Sequence, residues 1–131
     1  MAKYWVGNGG NWSDATNHWA TTSGGAPGAG NTPTTADDVF FDANSFSSAS
    51  QTVTIDTTAN MLSMDWTGAT NTPTLGGASS MNINGSVTLI AGMALTATGQ
   101  MTMGGAVNAT FTSAGITLTG VLACNKTSSA S

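Results

Sequence analysis

Charge is almost missing from this chain. Charged residues make up 6% of its 131 positions, against roughly a quarter in an ordinary soluble domain. There is no arginine and no glutamate, and Lys3 and Lys126 stand against six aspartates for a net charge of −4. Two cations cannot neutralise a run of phosphates, which argues against nucleic acid as a partner. Anionic membrane surfaces are disfavoured on the same ground. A single cysteine, Cys124, leaves no internal disulfide; the expectation is a small buried residue near the last strand, with an interchain bond as the alternative. One cysteine with one histidine, His18, cannot make a zinc site. Apolar runs are too short for a membrane-spanning helix. Met1-Ala2-Lys3 leads straight into Tyr4-Trp5 without the apolar stretch of a signal peptide, so no export is expected.

Thr, Ser, Asn and Gly carry the polarity instead, beside a hydrophobic fraction of 40%. That fraction is too high for a disordered chain. These residues favour strands and turns and disfavour helix interiors. The expected fold is therefore one all-β domain over residues 1–131. Residues 1–36 form a Trp-rich cap and a Gly/Pro loop, in which Ser23-Gly24-Gly25-Ala26-Pro27-Gly28-Ala29-Gly30 excludes regular structure. Residues 37–131 hold repetitive short strands. The first two, 38–42 and 51–56, read as a strand pair, with Val39/Phe41 and Val53/Ile55 at period-2 spacing. Short apolar units follow (Leu62/Met64/Trp66, Met81/Ile83, Val87/Leu89, Met93/Leu95, Met101/Met103, Val107/Phe111, Ile116/Leu118), closed by glycine turns every six to nine residues or so.

Two architectures write such text. A short β-solenoid stacks strands and turns into coils. An antiparallel sandwich or jelly roll joins them by hairpins, for which Asn84-Gly85 is a strong signal. The brevity of the strands favours the solenoid. A short solenoid exposes unpaired edges at its ends, so caps or partners are required. The Trp-rich start is expected to be one cap, and a trimer or a larger lattice would cover other surface.

Support for catalysis is thin. His18 lies beside Trp19 without a nucleophile-elbow spacing around any serine, and the scattered aspartates suit turn capping better than a glycosidase pair. Asp37, Asp38, Asp42 and Asn44 offer hard oxygens to Ca²⁺. However, Asp37 points to the opposite strand face from Asp38 and Asp42, and the full calcium-loop pattern is absent. Trp5, Trp12 and Trp19 make either a sugar-stacking or interface platform, or a small aromatic core filling the cap; the second reading is preferred. The methionines, Met61, Met64, Met81, Met93, Met101 and Met103, are expected to fill an irregular core.

The string Tyr4-Trp5-Val6-Gly7, Gly9-Gly10-Asn11-Trp12-Ser13-Asp14, His18-Trp19, Asp37-Asp38-Val39-Phe40-Phe41-Asp42 and Gln51-Thr52-Val53-Thr54 resembles the N-terminal segment of a group of tailed-bacteriophage virion proteins. Similar openings precede β-solenoid regions in bacterial autotransporter-like surface proteins. The resemblance covers residues 4–56, and the remainder is similar only in style. It implies a non-enzymatic structural protein without cofactor, most simply a capsid decoration or cement protein. Its implied partners are further copies of itself and virion proteins such as the major capsid protein. Such a protein would be made in the host cytoplasm and released on the virion surface by lysis. A tail- or head-fibre segment for host adsorption and a carbohydrate-binding surface module are the alternatives.

Overall fold

A computed structural model describes residues 1–105 and 108–126. It is a β-solenoid of about four turns, with 35% of residues in strands and 3% in helix. The first coil holds β1 (Ala2–Trp5) and β2 (Gly10–Asn11), then a single helical turn α1 (Ala15–His18) and β3 (Trp19–Ala20). The next coil holds β4 (Asp38–Phe40), β5 (Thr52–Ile55) and β6 (Ala59–Met61). It is followed by one with β7 (Ser63–Asp65), β8 (Thr74–Gly77) and β9 (Met81–Ile83). Then come β10 (Val87–Thr88), β11 (Ala94–Leu95) and β12 (Met101–Gly105), and last β13 (Phe111–Thr112) and β14 (Leu122–Lys126).

Three sheets form the walls, in the orders β13-β10-β7-β4-β1-β3, β11-β8-β5-β2 and β14-β12-β9-β6. Among the described residues every pairing is parallel except β1 with β3. The two strands read from the sequence as a pair are thus not partners. β4 lies in the first sheet and β5 in the second, because the loop between them turns a corner of the prism.

Parallel register stacks like on like. Val39, Met64, Val87 and Phe111 share one column of the first sheet. Val53, Leu75 and Leu95 share one of the second. In the third, Ala59, Met81, Met101 and Leu122 form one column, and Met61, Ile83, Met103 and Cys124 the next. All but the last-coil members Phe111, Leu122 and Cys124 are buried. Each buried aliphatic side chain stabilises the stack by about 1.5–3 kcal/mol. The methionines fill the core as their spacing predicts. Cys124 does not: it is exposed, because its column runs out at the last described coil.

Asn84-Gly85 also departs from the sequence expectation. It turns the corner from β9 into β10, strands of different sheets. Neither residue has the positive φ that a two-residue hairpin turn needs. Gly77 shows why glycine punctuates these coils. Its φ is +103°, and a Cβ there would stand 2.5 Å from the backbone N and O of Ile55 in the coil before.

Candidate functional site

The two ends of the prism differ, and the difference is where the surface chemistry lies. At the N-terminal end the Trp-rich segment folds over the first coil. Asp14 opens α1 by accepting a hydrogen bond from the Asn17 N–H. The turn then delivers Trp19-Ala20 antiparallel onto β1, with Tyr4 opposite Ala20 and Trp5 opposite Trp19. One reversed strand thereby covers the edge that β1 would otherwise expose.

Trp5, Trp12 and Trp19 are 0% exposed, as is Trp66. Trp5 lies flat on His18 at 4.5 Å and meets Trp19 edge-on at 5.1 Å. Trp12 meets Trp19 edge-on at 4.7 Å, and Phe41 stacks on Trp66 at 3.8 Å. The Trp19 indole donates to the Trp12 carbonyl at 2.8 Å, and that of Trp5 to the Asn8 carbonyl at 2.6 Å. The sugar-stacking or interface platform considered for Trp5, Trp12 and Trp19 is therefore corrected: their faces are spent on one another, and they are the core of the cap.

His18 is buried with Nδ1 2.8 Å from the Val6 carbonyl oxygen. A carbonyl only accepts, so Nδ1 carries the hydrogen. The imidazole packs flat against Trp5 inside the cap.

The Ca²⁺ candidates lie in and on either side of β4 and are not brought to one point. Asp37 Oδ2 accepts from the Thr34 N–H at 2.8 Å and from its hydroxyl at 3.0 Å. Asp38 accepts from the Ser63 hydroxyl. Asp42 accepts from the Asn44 N–H and from the Ser23 hydroxyl, to which the Asn44 amide also donates. Among the described residues, no three His, Cys, Asp or Glu side chains are grouped to hold a metal. Alternation explains the separation, since Asp37 and Asp38 leave the backbone on opposite sides.

Two carboxyls are held below their ordinary range. Burial pushes Asp37 up, but the Thr34 hydrogen bonds and the positive charges of Lys3 and the amino terminus outweigh it. For Asp56, burial is likewise outweighed, by hydrogen bonds from the Ser13 hydroxyl and N–H.

One feature of the cap escaped the sequence reading. Lys3 stands in register with Val39, in the inward column of the first sheet, and is 7% exposed. Its ammonium donates to Asn31 Oδ1 at 3.3 Å. The alternation of Lys3, Trp5 against Ala2, Tyr4 was the available signal.

At the other end the last described coil is thin. Its second-sheet side carries no strand among the described residues. Phe111, Ile116, Leu118 and Leu122 pack on the core but are only half-buried, and Val121 is 62% exposed. Leu95, Ala97, Met101, Leu118, Val121 and Leu122 line a hollow there. No helix among the described residues is long and apolar enough to cross a membrane. Val107, expected in a strand, and the polar tail 127–131 lie outside the described residues.

No protein-family model, curated protein or solved structure matches this chain.

Proposed function

We propose that the chain is a non-enzymatic structural protein of a tailed-bacteriophage virion, a capsid decoration protein that adds stability to the shell. The observation that carries this reading is the asymmetry of the prism. One end is sealed by a reversed strand and an aromatic cluster. The last described coil presents half-buried Phe111, Ile116, Leu118 and Leu122 beside exposed Val121. An apolar rung rimmed by parallel strand edges fits addition of further β structure, through backbone pairing along the edge and side-chain insertion into the hollow. With 6% charged residues, the surface has few charges to oppose such pairing. Repetition of one contact over a lattice multiplies a modest interface into large stability.

The candidate carboxylates support a structural role as well, since each holds a turn or a neighbouring strand. A fibre segment is the second reading, favoured by the same end, because parallel coils can be added there without changing the architecture.

Density-purified particles from the host that carries the gene test the proposal. The protein should co-sediment in stoichiometric amounts with the major capsid protein, and particles lacking it should lose infectivity at lower temperature. Its absence from particles, or unchanged heat resistance on its removal, would refute the decoration role. Its presence on tails alone would favour the fibre.

A further inference from the structure

The three walls of the prism end differently at the last described coil. In the third sheet Ala59, Met81 and Met101 share a column. Each sends its N–H to a carbonyl of the coil that follows, at Ser80, Gln100 and Val121. Leu122 is the next member of that column. Its N–H points the same way, and by period-two alternation so do those of Cys124 and Lys126. No strand lies beyond β14 among the described residues. The second sheet ends otherwise. The Thr119 hydroxyl covers its last carbonyls, 2.6 Å from the Ala97 oxygen and 3.4 Å from that of Leu95. The first sheet ends on β13, which is two residues long. Among the described residues β14, five residues long and without proline, is thus the long open edge at this end, the kind that pairs with another chain. Charge is distributed to suit. All six aspartates precede Trp66, and Lys126 is the only charged side chain after it. Two copies that meet at their open ends bring no carboxylates together and keep their acidic halves at the far ends, whereas two closed ends would repel.

We propose that the open end takes a second copy of this chain, the two β14 strands pairing antiparallel about a two-fold axis at Cys124. The inference rests on reading this end as a place where β structure is added, and it names the occupant. A strand that meets its own copy about a two-fold axis perpendicular to the sheet pairs antiparallel, and the same patch serves both sides. With the axis at Cys124, the middle of β14, Leu122 of each copy lies opposite Lys126 of the other. Ala123 then lies opposite Asn125, and Cys124 opposite Cys124. The outward backbone groups of Leu122, Cys124 and Lys126 all find partners, so the whole strand is used. The two Lys126 residues stand four positions apart along the ladder, about 14 Å, beyond the screening length of about 10 Å in 0.1 M salt. The rotation also sets the first-sheet end of each copy over the second-sheet end of the other. Half-buried Phe111 of one copy thereby faces Leu118 of the other, beside the hollow that Leu118 lines with Leu95 and Ala97, and apolar surface on both sides leaves water.

Analytical ultracentrifugation of the purified full chain under reducing conditions tests this. The mass should rise with concentration from the monomer's 13.0 kDa towards twice that value and stop there. Cys124→Ser should dimerise like wild type. Cys124→Lys sets two ammoniums directly opposite each other, and should be monomeric at concentrations where Cys124→Ser is dimeric. Cys124 is exposed, so both variants are expected to fold, and tryptophan emission checks that they do. Cross-linking reads the register. Residues opposite each other in a hydrogen-bonded antiparallel pair have Cα atoms about 5.5 Å apart, within disulfide reach. Copper–phenanthroline should therefore link two wild-type chains, the thiols losing two electrons and two protons to the added oxidant as the S–S bond forms. Asn125→Cys in the Cys124→Ser background moves the thiols out of register and should not link. A monomer at every concentration, a trimer or open-ended series, or a dimer that Cys124→Lys leaves intact overturns the proposal. Equal cross-linking of the Asn125→Cys variant overturns the register. The virion reading is tested separately by sedimentation with particles. A chain that is monomeric in solution yet present on particles refutes the dimer alone, and a dimer absent from particles supports this inference while refuting the decoration role.

Discussion

Trp19 and Trp66 are both fully buried in the same aromatic cluster, yet their indole N–H groups differ. Trp19 donates to the Trp12 carbonyl at 2.8 Å, whereas Trp66 has no acceptor. Phenylalanine at either site removes similar apolar area. Only Trp19→Phe also strips a buried carbonyl of its donor, at a cost of about 1–3 kcal/mol. Trp19→Phe should therefore lower the midpoint of urea unfolding clearly more than Trp66→Phe. Equal losses would show that the Trp19 hydrogen bond contributes nothing. Glycines allow a similar contrast. Gly77→Ala drives a Cβ into the backbone of Ile55, while nothing lies within 4 Å of a Cβ at Gly92. Backbone cannot step aside as a flexible side chain can. Gly77→Ala should cost about 1–3 kcal/mol or more, and Gly92→Ala should stay within about 0.5 kcal/mol of wild type.

At the scale of elements, the cap depends on carboxylates. Asp37 ties the loop at Thr34 to the start of β4, and Asp56 holds the loop at Ser13. Both have folded-state values lowered from that of a free aspartate. Their contribution to stability is thus complete above the unfolded value, about 3.9. It is lost as pH falls through the lower folded values. Heat stability should hold from neutral pH to about 5 and drop on acidification below about 4, with tryptophan emission reporting the loosening of the cap. Replacing both with asparagine should flatten that acid limb; an unchanged limb would assign it to other aspartates. The strands themselves were legible in the sequence, because Val39/Phe41, Val53/Ile55 and Met81/Ile83 alternate at period two. Their partners were not. Glycine turns punctuate hairpins and corners alike, and only the register of Val39 with Met64, Val87 and Phe111 reveals a coil of three such units. The tryptophans were legible as a cap, but only the period-2 spacing of Lys3 and Trp5 marked Lys3 as inward. Its column partners stand one or more coils away, and a lysine near a chain start ordinarily reads as surface.

For the whole molecule, an asymmetric stack implies an asymmetric distribution of stability. In a solenoid each coil is supported by its neighbours, so a coil with one neighbour opens first. The sealed coil gains β3 and the aromatic cluster on its free side; the last described coil is covered by neither. Amide hydrogen exchange should accordingly be slowest in β4 to β9, nearly as slow in β1, and fastest in β13 and β14. The same end tests the docking reading without confusing it with folding. Val121 is 62% exposed, so Val121→Asp places its charge in water and should change the unfolding midpoint by less than about 0.5 kcal/mol. In an assembled state, however, that carboxylate would be buried unpaired against a new strand, which is strongly unfavourable. Sedimentation of Val121→Asp with particles that lack the wild-type protein should then show binding lost while the free protein keeps its fold. If the variant binds as well as wild type, docking does not use the face at Val121, and the outer faces of the three sheets become the surfaces to mutate next.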